Sequence, residues 1–345
     1  MVRGATRNNL KGIDVALPLG TFTAVTGVSG SGKSSLVIDV LQPAVEAALQ
    51  GRRLSDPGCK RIDGLEQVRQ LVVIDQSPIG TTPSSNPATY TKVFDPIREV
   101  FAQTEEARMK GFKPVRFSFN QGDGRCEACQ GRGAILVEMH FLSDLWVPCE
   151  ACHGSRYARE TLSVRWKDKT IADVLQMEIA PALEFFSSLP KIKRILQVLD
   201  DVGLGYLKLG QSSTTLSSGK AQRMKLAAEL ARPSVGHTLY LLDEPTTGLH
   251  FADVEKLVRV FHRLVERGGS VLVIEHHVDV IRNADWVVDL GPEKSAGGGS
   301  LVVANTPETV AAHATSHTGR ALAKVLARPG RARARRREAP VRNRA

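Results

Sequence analysis

The sequence predicts an α/β protein whose core is a parallel β-sheet, interrupted by a helical insertion that carries four cysteines. Three observations lead to this fold class. A glycine-rich loop lies between an apolar strand and a helix, three further apolar runs end in polar side chains, and two Cys-x-x-Cys pairs stand between these groups. Alternating strands and helices are typical of a parallel sheet covered by helices. At 345 residues the chain is long enough to bury a sizeable core.

The glycine-rich loop has the complete P-loop pattern. Residues 21–26 before it are β-branched and apolar, which predicts a buried strand, and a helix is expected from Ser35 to about Gln50. In such a loop backbone amides surround phosphate oxygens, the Lys33 ammonium neutralises them and the Ser34 hydroxyl holds Mg²⁺. The predicted ATP-binding residues are Gly27, Val28, Ser29, Gly30, Ser31, Gly32, Lys33 and Ser34.

Three apolar runs end in polar side chains, at the position where parallel sheets bind their ligands. They are residues 71–74 before Asp75 and Gln76, 239–242 before Asp243 and Glu244, and 271–274 before Glu275 and His276. An aspartate such as Asp243 can reach Mg²⁺ through water, and the adjacent Glu244 can orient or deprotonate an attacking water. A lone histidine usually has no catalytic role, but the strand end before His276 places it at the expected phosphate site.

Two Cys-x-x-Cys pairs, Cys126 with Cys129 and Cys149 with Cys152, have a spacing typical of a structural Zn²⁺ site. In such a site four thiolates complete a closed tetrahedron. Disulfides and free core cysteines are the alternatives. The sequence contains no signal peptide or transmembrane run, which predicts a reducing cytoplasm and favours the metal. The fifth cysteine, Cys59, has no partner in this pattern.

Residues 216–223 read Leu-Ser-Ser-Gly-Lys-Ala-Gln-Arg and precede an apolar pattern at helical spacing. Serine and glycine before a helix expose backbone amides and the positive end of the helix dipole, which can bind a γ-phosphate. Taken alone, the segment is an ordinary capped helix. Together, the P-loop, Gln76, this segment, the strand end at Asp243 and Glu244, and His276 resemble in their order the ATP-binding cassette ATPases.

Within that superfamily the chain resembles the C-terminal half of the UvrA family, the damage-sensing subunits of bacterial excision nucleases. The resemblance covers about residues 2–307 and rests on the segments VTGVSGSGKSSL, IDQSPIG, SNPATYT, RFSFN, GRCEACQGRG, VEMHFL, DVGLGYLKLGQ, LLDEPTTGLH and VIEHH. Transporter cassettes lack the cysteine insertion, so the insertion distinguishes the two groups. The resemblance implies a cytoplasmic DNA-repair ATPase that uses ATP, Mg²⁺ and Zn²⁺ and recognises damaged or distorted duplex DNA.

The resemblance also assigns a role to each site residue. It makes Lys33 the phosphate ligand, and Ser34 and Asp243 the Mg²⁺ ligands. It makes Glu244 the hydrolytic base and His276 the γ-phosphate sensor. Gln76 would link the nucleotide to the signature domain. Ser217, Ser218 and Gly219 would act in trans on ATP bound to another cassette.

Chain length bears on the expected partners. UvrA carries two unlike cassettes in tandem, whereas 345 residues hold one cassette and an insertion. A composite ATP site then requires a second cassette, which is either a second copy of this chain or a separate N-terminal half. The third alternative is that the chain is a degraded remnant. We favour the homodimer, because each copy has the elements for half of both sites. In the family the domain that recruits UvrB lies in the other half, so this chain alone is not expected to recruit UvrB.

Departures from the family pattern affect the expected hydrolysis. The family signature LSGGEAQR reads LSSGKAQR here, so Ser218 can crowd the phosphate and the Lys220 cation opposes the helix dipole. The usual IGRTPRSN reads IGTTPSSN, with Thr81 and Ser84 in place of arginines. Two alternatives to an active repair ATPase follow: a DNA-binding module with impaired hydrolysis, and a paralogue for self-protection against DNA-binding drugs.

These landmarks predict a domain order. The ATP-binding core comprises residues 1–86 and 213–312. The signature-domain insertion comprises residues 87–212 and contains the zinc module at 126–152. The C-terminal region, residues 313–345, comprises the end of a helix and a basic tail. Inside the insertion, residues 134–141 and 145–147 predict a hairpin joined near Ser143 and Asp144, and residues 161–166 suggest another short hairpin. The family resemblance places the first hairpin against DNA; a purely structural knuckle is the alternative.

The basic charge of the chain is concentrated in its tail. Of the net charge of +10, residues 328–345 contribute +7 from eight arginines and one glutamate, which leaves about +3 for the rest. The tail is rich in Arg, Ala and Pro and has no apolar periodicity, so we expect it to be disordered. It either adds salt-dependent attraction to nucleic-acid phosphates or is a solvated end.

Overall fold

A computed structural model describes residues 1–80, 82–139, 145–232, 236–291 and 297–327. The strands are β1 (Val2–Ala5), β2 (Ile13–Val15), β3 (Phe22–Gly27), β4 (Arg61–Ile62), β5 (Gln70–Ile74), β6 (Ala134–Val137), β7 (Leu145–Pro148), β8 (Thr238–Asp243), β9 (Ser270–Ile274), β10 (Trp286–Gly291) and β11 (Ser300–Asn305). The helices are α1 (Gln42–Leu49), α2 (Pro87–Tyr90), α3 (Phe94–Ala102), α4 (Glu105–Met109), α5 (Arg159–Leu162), α6 (Ile171–Gln176), α7 (Ile179–Phe185), α8 (Pro190–Asp201), α9 (Ser218–Ala231), α10 (Phe251–Glu266), α11 (Val278–Ile281), α12 (Pro307–Ala311) and α13 (His317–Leu326).

The described residues form two compact units. The first contains residues 1–73, 236–246 and 261–327, and the second contains residues 74–232 and 247–260. The domain boundaries expected from the sequence stay a prediction. The expected disordered tail at 328–345, Thr81 and the hairpin turn at Ser143 and Asp144 lie outside the described residues.

The first unit is built on a six-stranded sheet with the order β11-β10-β3-β9-β8-β5. The pairs β10–β3, β3–β9 and β9–β8 are parallel, and the β10–β11 pair at one end is antiparallel. Every residue of β3 is buried, as expected for a central strand covered on both faces. The parallel-sheet core predicted from the sequence is therefore confirmed.

The register of this sheet places the important strand ends side by side. Ile274 at the end of β9 pairs with Val25 of β3 on one side and with Asp243 of β8 on the other. The segments that follow β3, β8 and β9 therefore leave the sheet at the same edge.

The second unit contains α2 to α9 and the antiparallel hairpin of β6 and β7, in which Ala134 pairs with Pro148 and Val137 with Leu145. A hairpin is confirmed here, but β6 ends at Val137, whereas the sequence predicted a strand from residue 134 to residue 141. Residues 140 and 141 lie outside the described residues. The fully buried Tyr157 hydroxyl donates to the Phe117 carbonyl oxygen at 2.9 Å, which ties the cysteine-bearing segment to the aromatic core of the unit.

The short hairpin expected at residues 161–166 was wrong. Thr161 lies in α5, is fully buried and donates its hydroxyl to the Gly124 carbonyl oxygen at 2.9 Å. A tight turn follows, in which Trp166 and Lys169 exchange backbone hydrogen bonds. The acceptor of the Thr161 hydroxyl lies 37 residues away in the sequence, a contact that the local pattern does not indicate.

No helix in the described ranges is long and apolar enough to cross a lipid bilayer.

Candidate functional site

The P-loop connects β3 to a helical segment that starts at Ser35, is π-helical to Leu41 and continues as α1. Gly27 has a φ of 135°, and a Cβ atom there would lie 2.0 Å from the Leu290 carbonyl oxygen. Gly32 has a φ of 100°, and a Cβ atom there would lie 2.8 Å from the Leu10 side chain. Both positions therefore require glycine. The loop borders an open cleft of about 470 Å³ lined by Asn8, Asn9, Gly30, Gly32, Lys33, Ser34 and Ser35.

The polar groups of the loop are arranged for an anionic ligand. Lys33 Nζ donates to the carbonyl oxygens of Gly27 and Val28 at 3.1 and 3.0 Å. Burial lowers the pKa of Lys33, and the carboxylates of Glu244 and Asp243 act in the opposite direction. The Ser31 hydroxyl is fully buried and has no hydrogen-bond partner within the described part of the chain. A buried hydroxyl of this kind in a glycine-rich loop fits a phosphate ligand.

Asp243 and Glu244 follow β8, and His276 follows β9, at the same edge of the sheet. Glu244 has a φ of 44°, in the left-handed region that residues with a side chain seldom adopt. The Nε2 atom of His276 lies 3.3 Å from Oε1 of Glu244. Burial, and next the Glu244 carboxylate, raise the pKa of Asp243. A bound divalent cation would favour the ionised form, which is the behaviour expected of a Mg²⁺ ligand.

The first unit thus brings together the P-loop, Asp243, Glu244 and His276, whereas Gln76 belongs to the second unit. Gln76 is exposed in the loop after β5. Helix α9 supports this loop, because Gln222 Nε2 donates to the Ile74 carbonyl oxygen at 3.0 Å and Lys225 forms an ion pair with Asp75. The helix that follows the signature residues is therefore bonded to the residues on the amino-terminal side of Gln76.

The signature residues Ser217, Ser218 and Gly219 lie at the start of α9, where Ser217 is the N-cap residue. Both serines are exposed. A Cβ atom at Gly219 would lie 2.7 Å from the Thr247 carbonyl oxygen, so the signature glycine that this chain retains is required by its packing. The exposed start of this helix can contact a ligand or another chain.

Lys220 in the first turn of α9 points its ammonium at an aromatic ring. Its Nζ atom lies 5.1 Å from the centroid of the half-exposed Tyr206 ring. A cation–π contact at a partly exposed site contributes roughly 0.5–1 kcal/mol, which offsets the unfavourable placement of a cation at a helix N-terminus.

The four cysteines Cys126, Cys129, Cys149 and Cys152 form one buried cluster, with all sulfur atoms within 4.8 Å of one another. The Sγ atoms of Cys126 and Cys149 are 4.0 Å apart, and those of Cys129 and Cys152 are 3.7 Å apart. A tetrahedral Zn²⁺ site with metal–sulfur bonds of about 2.3 Å has sulfur–sulfur edges of about 3.8 Å. The residues therefore fit a closed four-thiolate Zn²⁺ site.

Backbone amides approach the cluster as expected for a metal-binding knuckle. Gly133 N–H donates to the sulfur of Cys129 at 3.3 Å, and Gly133 has a φ of 76°. Burial raises the pKa of Cys129 to about 12 and also raises that of Cys152, whereas the backbone N–H of Cys152 lowers the pKa of Cys149. A bound cation would favour the thiolate form of all four.

Comparison with curated proteins gives the family. The chain is 58% identical over 325 residues to UvrABC system protein A of Xylella fastidiosa and 58% identical over 327 residues to that of Bacillus subtilis, and these alignments cover 94% and 95% of the chain. The chain belongs to the UvrA family. It spans about a third, 34%, of the length of these relatives. No protein-family model matches it.

A solved UvrA structure has the same fold. The crystal structure of UvrA2 from Deinococcus radiodurans matches with a TM-score of 0.84 and 49% sequence identity, covering 94% of this chain and 39% of that one. The UvrA resemblance predicted from the motifs is therefore confirmed.

For two residues that support the site, no role was predicted from the sequence. Asn9 donates from its side chain to the Gly30 carbonyl oxygen at 2.8 Å and lines the P-loop cleft. Glu275, only 2% exposed, lies between the apolar end of β9 and His276. A charged residue that directly continues a fully buried strand is a signal that could have identified Glu275.

Proposed function

We propose that this UvrA-family chain is an ATPase cassette of nucleotide excision repair that recognises damaged or distorted duplex DNA. The observation that carries the proposal is the convergence of the P-loop, Asp243, Glu244 and His276 in a chain 58% identical to UvrA proteins. Each of these groups lies at the carboxyl edge of the parallel strands, where such sheets bind nucleotides.

In this proposal each site residue has a separate role in ATP hydrolysis. Lys33 and the loop amides bind the β- and γ-phosphates, and Ser34 and Asp243 would hold a Mg²⁺ ion, which would supply charge neutralisation. Glu244 accepts a proton from the attacking water as its oxygen bonds to the γ-phosphorus, the bond to the β-phosphate oxygen breaks, and ADP and phosphate leave. His276 contacts the γ-phosphate and lies within reach of Glu244, at 3.3 Å.

The proposal includes a second cassette. The exposed serines Ser217 and Ser218 and the start of α9 would close over ATP held by another cassette. We favour a second copy of this chain in that position. Gln76 would then report the state of the nucleotide to the unit that carries α9.

We assign Zn²⁺ to the four-cysteine cluster and a DNA-contacting role to the hairpin beside it. Directly paired residues of β6 and β7 share one face, and Ile135 with Val147 and Val137 with Leu145 expose apolar side chains there. Exposed apolar patches mark interaction sites, and apolar side chains enter distorted or partly unstacked base steps. This face supports a preference for distorted over regular duplex.

DNA binding tests the proposal. With ATP present, we expect the chain to bind a duplex with one bulky lesion at least about 10-fold more tightly than the intact duplex, or about 1.4 kcal/mol. Fluorescence anisotropy at fixed salt measures both affinities. Replacing Ile135 and Val147 by serine should reduce the preference, whereas Met109→Ser, which removes an exposed apolar side chain elsewhere in the same unit, should leave it unchanged.

Equal affinity for the two duplexes, with and without ATP, would contradict a damage-recognition role. A truncated chain that ends at residue 327 tests whether the basic tail contributes to the lesion preference. Loss of the tail should lower the salt dependence of DNA affinity without changing the lesion preference. If a duplex loaded with an intercalating drug is preferred over the bulky lesion, the self-protection alternative is favoured.

A further inference from the structure

Glu275 is a buried carboxylate that directly follows β9 and precedes His276, and the assigned hydrolytic roles do not include it. Its side chain is 2% exposed and accepts four hydrogen bonds. One oxygen accepts from the backbone N–H and the hydroxyl of Thr246 at 3.0 and 2.6 Å. The other accepts from the backbone N–H groups of His276 and His277 at 2.8 and 3.0 Å.

These four bonds join two segments that are distant in sequence. Thr246 lies two residues after Glu244, and His276 follows Glu275 directly. The backbone N–H of Glu275 donates to the Val25 carbonyl oxygen at 3.0 Å, which anchors the carboxylate on β3, the strand that enters the P-loop. One residue therefore connects three segments: the Glu275 side chain holds the loop after Glu244 and the loop of His276, and its backbone N–H is bonded to the P-loop strand.

Glu244 needs such external support. Its backbone has a φ of 44°, a left-handed conformation that is strained for a residue with a side chain. On one side its N–H is held by the Ile274 carbonyl oxygen at 2.9 Å. On the carboxyl-terminal side, Pro245 leads to Thr246, whose backbone N–H and hydroxyl both donate to the Glu275 carboxylate.

We propose that Glu275 is a positioning residue, which sets the placement of Glu244 relative to His276 by holding both loops. The inference deepens the proposed ATPase function and rests on it. A carboxylate suits the task because it offers two oxygens and about four acceptor sites, and all four groups around it are donors. An amide of the same shape has one oxygen, so two of the four donors would face an NH₂ group.

The variant that tests this role is Glu275→Gln, with Glu266→Gln, an exposed glutamate at the end of α10, as the matched control. We expect Glu275→Gln to lower kcat for ATP by roughly 10- to 100-fold while KM changes by less than about 3-fold, because the P-loop contacts stay intact. Glu266→Gln should keep both constants. Glu275→Gln in a Glu244→Gln background should cost little more than Glu244→Gln alone, because the two residues act as a unit.

A purely structural role predicts a different pattern. General loss of folding would lower the fraction of active protein and the exchange protection of the β3 amides together, and its effect would add fully to that of Glu244→Gln. Thr246→Val, which removes one of the four donors, should lower kcat by a few fold and tests the same connection if Glu275→Gln does not fold.

Amide hydrogen exchange decides the point separately from turnover. The amides of Thr246, His276 and His277 should exchange faster in Glu275→Gln, whereas the amides of β3 keep their protection. A kcat within 2-fold of the wild type, or unchanged exchange at these three amides, would overturn the proposal. A wild-type chain without ATPase activity would instead refute the proposed function, and the exchange measurement would still decide whether Glu275 holds the two loops.

Discussion

Replacing Glu244 by glutamine is expected to lower ATP turnover by at least about 100-fold while ATP binding remains. A positioned general base contributes about 10²–10⁴ to a rate, and glutamine keeps the shape of the side chain but cannot accept the proton. Pre-steady-state hydrolysis of labelled ATP measures turnover, and equilibrium binding of a fluorescent ATP analogue measures affinity. Lys33→Ala is the complementary variant, because removing the phosphate-binding cation should abolish nucleotide binding itself.

Two outcomes would contradict this assignment of the base. The first is a Glu244→Gln variant that retains more than a tenth of wild-type turnover. The second is a loss of ATP binding equal to that of Lys33→Ala, which would place Glu244 among the binding residues. Asp201→Asn, in the second unit, controls for the loss of one carboxylate.

Replacing Cys149 by serine is expected to remove the bound Zn²⁺ and unfold the region around the hairpin. Cys149 is 1% exposed, and its N–H donates to the Gly133 carbonyl oxygen at 3.0 Å. The substitution therefore replaces a buried thiolate ligand inside the folded cysteine segment. Structural zinc sites contribute on the order of 10 kcal/mol to the folding of small domains. Metal analysis of the purified protein should give one zinc per wild-type chain and little in the variant.

Cys59→Ser is the control for the zinc measurement, because Cys59 lies in the first unit outside the cluster. Its metal content should equal that of the wild type. In Cys149→Ser, lesion-specific DNA binding should fall while ATP binding persists, since the P-loop lies in the first unit. Full zinc occupancy in Cys149→Ser would show that the four thiolates are not the ligand set.

The parts of the site that could be predicted from the sequence are those with local causes. Gly27, Lys33 and the two cysteine pairs belong to short patterns whose spacing is set by the ligand itself, and the apolar strands before Asp243 and His276 are continuous. Glycine is required at Gly27 because a Cβ atom there would lie 2.0 Å from the Leu290 carbonyl oxygen, which is distant in the sequence. The P-loop pattern nevertheless predicts this glycine, because the pattern includes glycine at that position.

The parts that could not be predicted depend on contacts across the chain. The role of Glu275 arises from Thr246, 29 residues earlier, and nothing between them in the sequence indicates the pair. The bonds from Gln222 and Lys225 to Ile74 and Asp75 span about 150 residues, so the support of the Gln76 loop by α9 has no local pattern. At the wrong hairpin, residues 161–166, the acceptor of Thr161 is likewise distant in the sequence.

The most direct test of the central claim is the rate of ATP hydrolysis per chain, measured for the purified wild-type protein over a range of protein concentrations. If the P-loop, Asp243, Glu244 and His276 form half of a composite site completed by a second cassette, the rate per chain should rise with concentration and level off as the pairs saturate. A rate no higher than that of Glu244→Gln at every concentration would contradict the account.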